Sequence, residues 1–70
     1  MKIQLQEGLI VEAISIIGLD YEEWESSRIE MFKTGKDLIS IGDVAFDGSI
    51  VIYNHRLLSV GVHQDIIYIS

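Results

Sequence analysis

Seven short apolar runs, each bounded by a turn signal and none interrupted by proline, divide this 70-residue chain. That punctuation favours strands, which typically span about five to six residues and are rich in β-branched and aromatic side chains. The first reading is therefore an all-β domain over residues 1–70: an antiparallel meander, sandwich or barrel of about six to seven strands. The alternative is an α+β fold with a helix near residues 20–33.

A domain this small is near the lower limit for a core that stands without disulfides, metals or a partner subunit. There is no cysteine, so disulfides and thiolate metal sites are excluded. Apolar residues make up 49% of the chain, mainly isoleucine, valine and leucine. A lone domain hides only part of such a surface, and the surplus implies burial between copies, a homo-oligomer.

Five basic against eleven acidic residues give a net charge of −6, which opposes nucleic acid unless the few cations cluster. No run approaches the roughly 18 apolar residues of a membrane span, and Met1-Lys2-Ile3-Gln4-Leu5 lacks the form of a signal peptide. The expectation is a cytoplasmic protein with no membrane contact.

Residues 2–6 alternate, with Ile3 and Leu5 on one face, as a half-buried strand does. Glu7-Gly8 turns the chain into residues 9–19, apolar on both alternating faces and so expected to be a central strand. The same stretch has helical spacing at Leu9, Ile10, Ala13, Ile14 and Ile17, but five of the nine residues 9–17 are β-branched, which favours strand. Residues 20–33 divide two ways. Asp20 with Glu23 reads as a helix cap and capping-box partner, and Lys33 with Gly35 reads as a helix end. Against that, Ser26-Ser27 interrupts and Arg28-Ile29-Glu30-Met31 alternates, so an acidic loop followed by a strand is preferred. Beyond it come strands at residues 38–46, 50–53, 57–62 and 66–69, with a primed turn expected at Asp47-Gly48.

Glu7-Gly8, Ile17-Gly18-Leu19, Gly35 followed by Leu38-Ile39, and Ser49-Ile50-Val51 together give a layout that resembles the tryptophan RNA-binding attenuation protein family. The resemblance implies a seven-stranded antiparallel subunit, assembly into a ring, and RNA contacts from Lys33 and Lys36 in one turn region and His55 and Arg56 in another. The threonine-rich segments that enclose tryptophan in that family have no counterpart, since residues 20–25 are acidic and residues 42–47 contain no threonine. Tryptophan binding is not carried over, and no cofactor is expected.

Asp20, Glu22, Glu23 and Glu25 can form a solvated acidic face, hold a hard cation or mimic nucleic-acid phosphates, although calcium-loop spacing is absent. Asp43 and Asp47 on one strand would stand about 13 Å apart, too far to share a proton. His55 and His63 would need distant carboxylates to hold zinc. No nucleophile elbow, phosphate-binding glycine loop or dinucleotide fingerprint is present, so a catalytic role is not expected. Tyr21 and Trp24, with Glu22, Glu23 and Glu25, form a candidate protein-binding segment, in which Trp24 is either an exposed anchor or a cap on the core. Tyr53 and Tyr68 fit strand positions. Lys33, Lys36, His55 and Arg56 make a cationic site only if their turns meet in space.

Three functions follow: a non-catalytic, self-assembling β module that binds another macromolecule; a regulatory ring that binds RNA; and a small acidic inhibitor of a basic nucleic-acid-binding protein. A protein partner is expected under the first and third, RNA under the second.

Overall fold

The computed structural model describes residues 1–34 and 39–70. The described residues form β1 (Lys2–Gln4), β2 (Ile10–Glu12), β3 (Ser15–Leu19), α1 (Tyr21–Lys33), β4 (Ile39–Ile41), β5 (Val44–Phe46), β6 (Ile50–Asn54), β7 (Val60–His63) and β8 (Ile66–Ile69), with one 3-10 turn at Gln6–Gly8. The strands make two four-stranded sheets, ordered β2-β1-β8-β7 and β3-β6-β5-β4. Both are mixed, since β1 runs parallel to β8 and β3 parallel to β6. The described elements are mostly strands, with one α-helix among them, which corrects the all-β reading and favours the α+β alternative. The antiparallel seven-stranded layout implied by the family resemblance is not the arrangement seen.

Strand β6 explains the layering. Its alternation sends Val51 into a core shared with Ile3, Leu5, Val11, Val44, Phe46 and Ile69 of the two sheets. Its next residue, Ile52, points the other way, into a second cluster with Ala45 and Trp24 of α1. A strand apolar on both faces needs two covers: the first sheet on one side and the helix on the other.

Residues 9–19 are not one central strand. Ala13 N–H donates to Met1 O in the first sheet, and Ile14 N–H donates to Ser49 O beside the second. The chain changes sheets at this corner, leaving Ile14 78% exposed and making β2 and β3 edge strands.

The helix forms where a loop and strand were preferred. Asp20 is extended at φ −65° and ψ 157°, Glu22 and Glu23 fill the first turn, and Lys33 closes the last, so the charges oppose the helix dipole at both ends. Glu25–Arg28 and Glu30–Lys33 pair one turn apart. Two serines in the interior cost only a few tenths of a kcal/mol each, less than burying Trp24 gains. The Arg28-to-Met31 alternation misleads because the buried stripe is narrow: Trp24 and Met31, two turns apart, face the sheet. The Asp20 side chain makes no cap hydrogen bond, so the capping box is not formed. Gly35, Lys36 and Leu38, on which other expectations rest, lie outside the described residues.

Turn chemistry also departs from expectation. Residues 38–46 divide into β4 and β5 around Gly42-Asp43, with Ile41 opposite Val44. At Asp47-Gly48 only Gly48 has positive φ, and Asp47 Oδ1 accepts from the N–H groups of Ser49 and Ile50, so the bend is an Asx turn and not the expected primed pair. The primed turn is at Gln64-Asp65, with φ 51° and 66°, joining β7 to β8.

Trp24 is 3% exposed and its Nε1–H donates to Ile52 O at 3.3 Å. Trp24→Ala removes about 3–5 kcal/mol from a domain whose whole stability, by size, is about 4–10 kcal/mol. The urea midpoint is expected to fall by about 30% or more, with loss of helical circular dichroism. A change of a few tenths of a kcal/mol would mean that α1 does not depend on this side chain.

Candidate interaction surfaces

Parallel pairing of β3 with β6 sets Leu19 against Asn54, so the residues that follow each strand become neighbours. His55 N–H donates to Leu19 O, and Asn54 Oδ1 accepts from Arg56 N–H, holding this turn against the start of α1. Asp20 Oδ1 consequently accepts from His55 Nε2 at 2.8 Å and from Arg56 Nε at 3.2 Å. These bonds, His55 first and then Arg56, hold the Asp20 carboxyl below its ordinary pKa. Asp20, Tyr21, Glu22, Glu23 and Arg56 line an open depression at the helix entrance. Glu22 and Glu23 are exposed there, and Tyr21 is 55% exposed.

Other predicted residues separate. Trp24 is in the core, with Arg28 stacked 5.7 Å from its ring centroid and Tyr21 6.2 Å away, so it is not an exposed anchor. Glu25 is engaged by Arg28, whose pKa is raised chiefly by that hydrogen bond. Lys33 pairs with Glu30 at the far end of α1, about 20 Å along the helix from His55 and Arg56. Of the predicted cationic site, His55 and Arg56 converge on Asp20 while Lys33 stands apart from them, and Lys36 lies outside the described residues. Asp43 and Asp47 flank opposite ends of β5. His55 follows β6 in the second sheet, whereas His63 ends β7 in the first. Among the described residues no three His, Asp or Glu side chains gather as a metal site. No helix among them is long and apolar enough to cross a membrane.

A second surface, not anticipated from the sequence, lies along β7. All four of its residues are exposed, unlike those of the other edge strands β2, β3 and β4. Val60 and Val62 stand opposite Ile69 and Ile67, on the core-facing side of the first sheet, yet are 40% and 71% exposed. The second sheet does not extend over them. Leu57, just before the strand, is 69% exposed. The signal in the sequence is slight: residues 59–64 carry no acid or strong base in a chain of net charge −6.

No protein-family model, curated protein or solved structure matches this chain.

The Asp20 contacts give a pH dependence of definite sign. A carboxyl whose folded pKa lies below its unfolded value of about 3.9 adds stability above that pH, and the contribution is lost as pH falls through the lower folded value. Urea midpoints measured from about pH 5 to about pH 2 should fall less steeply for Asp20→Asn than for the wild type. Identical slopes would show that His55 and Arg56 do not hold this carboxylate.

Proposed function

We propose that this chain is a non-catalytic, self-assembling α+β module that acts by binding another macromolecule. The observation that carries the reading is the β7 edge, where core-facing Val60 and Val62 are uncovered and, among the described residues, no strand pairs with the outer side of the backbone. Association with another copy removes this apolar surface from water and satisfies a strand edge that otherwise invites indiscriminate pairing. The negative charge opposes association, so screening by salt should strengthen it. Sedimentation equilibrium at micromolar concentrations should give a mass above 7.9 kDa that rises with added salt. A monomer at every concentration and salt level would remove the reading.

A second reading, a small acidic inhibitor of a basic protein, is favoured by the helix entrance. There Glu22 and Glu23 are exposed beside Tyr21, while Glu25 is already committed to Arg28. Such binding should weaken with salt, the opposite of self-assembly. Affinity capture with the wild type should recover a basic nucleic-acid-binding protein, and Glu22→Gln with Glu23→Gln should lose it. Equal capture by both would exclude the helix entrance as its site.

A further inference from the structure

Among the described residues, nothing in one copy of the chain requires glycine at position 61. Gly8, Gly42 and Gly48 have positive φ, and a Cβ on Gly18 would press against the Tyr53 ring. Gly61 is not at positive φ, and a Cβ built on it meets nothing within 4 Å. Glycine in a strand is destabilising relative to alanine and leaves no side chain to pack. Close approach of another backbone is one of the settings in which a strand carries a glycine that its own fold does not require.

The direction of the free hydrogen-bonding groups can be derived. Ser59 and Ser70 exchange both backbone bonds. In an antiparallel ladder such pairs alternate with non-bonded ones, so Gly61 with Tyr68 and His63 with Ile66 are bonded pairs in the same register. The N–H and C=O groups of Val60 and Val62 therefore point away from β8, toward the open edge.

From these observations, and resting on the self-assembly proposed above, we infer that β7 pairs antiparallel with β7 of a second copy, with Gly61 facing Gly61 of that copy on a two-fold axis. In this register Val60 exchanges two hydrogen bonds with the second copy's Val62, and Val62 two with its Val60. Each free group on the edge is satisfied by symmetry alone. The four valines fall on one face as β-branched cross-strand pairs and continue the core-facing layer of both copies. Gly61 takes the non-bonded position, where opposed Cα atoms approach to about 4.5 Å. The segment 59–64 brings no like charges together, which fits a second copy of an acidic chain. The two first sheets merge into one that runs β2-β1-β8-β7 and then through the second copy in reverse.

The chain has no cysteine, so a single introduced thiol can form a disulfide only with another molecule. Gly61→Cys should form a covalent dimer rapidly under mild oxidation, because a Cα separation of about 4.5 Å falls within disulfide range. Ser59→Cys and His63→Cys should not. Each then faces the other's position in the second copy, and its own counterpart is about 14 Å away along the strand. Val62→Lys, at a side chain already 71% exposed, should leave circular dichroism unchanged and weaken dimerisation by at least about tenfold, since the two introduced charges would lie on one face of the paired strands as diagonal neighbours. A wild type that assembles while the Gly61→Cys variant fails to cross-link, or cross-links no faster than Ser59→Cys and His63→Cys, would overturn the register but leave self-assembly standing. A wild type that is monomeric throughout would overturn both.

Discussion

The architecture depends on the double-sided burial of β6. Val51 and Ile52 are adjacent, both nearly inaccessible to water, and belong to different apolar clusters on opposite faces of one sheet. No two-layer arrangement satisfies such a strand, so a chain of only 70 residues builds three layers. Each layer is thin, and short strands leave their ends and edges close to the core. The high apolar fraction follows from this geometry, as does the difficulty of covering every apolar side chain within one copy.

The same constraint places the charges. With both faces of the second sheet covered, ionisable groups sit at strand ends and on the outer side of α1. The parallel register of β3 and β6 then brings Asp20 to His55 and Arg56, binding the helix entrance to a turn 35 residues away in sequence. Being exposed, these contacts contribute little stability by themselves. Their effect is to engage His55 and Arg56 within the chain, so Arg56 pairs with a carboxylate at the point where the RNA reading needs a free cation. Glu22 and Glu23 stay exposed beside this contact.

Much of the strand content is legible in the sequence because alternation is a local property. Residues 2–6, 50–53 and 66–69 lie close to the observed β1, β6 and β8. The failures share a cause in that each depends on contacts between distant residues. Residues 9–19 are uniformly apolar, and nothing local shows that Ala13 bonds to Met1 while Ile14 bonds to Ser49. The helix presents a narrow apolar stripe, and Trp24 becomes decisive only once Ala45 and Ile52 lie beneath it. At the candidate sites, Glu22, Glu23 and Tyr21 were identifiable from composition. The Asp20 contacts were not, because parallel pairing has no short-range signature. Gly61 was equally hidden: a strand glycine gains meaning only when the structure shows that neither φ nor packing requires it.

Edge geometry also decides which assemblies this fold can support. A ring needs a heterologous contact, in which one edge of each subunit meets a different edge of its neighbour. In the first sheet those edges are β2 and β7, and they are unlike: β2 ends in exposed Glu12, with Lys2 opposite it on β1, whereas β7 is uncharged. Pairing β2 with β7 would set the charged end of one edge against the apolar run of the other, with nothing to complement it. Pairing β7 with β7 matches like with like, and the alternation of its backbone groups makes that edge its own complement. An isologous contact uses up the edge that creates it, so the proposed association through β7 would stop at two copies. The remaining edge of such a merged sheet would be β2 at both ends, three residues long and flanked by charge, which is how sheet proteins keep an exposed edge from recruiting further strands.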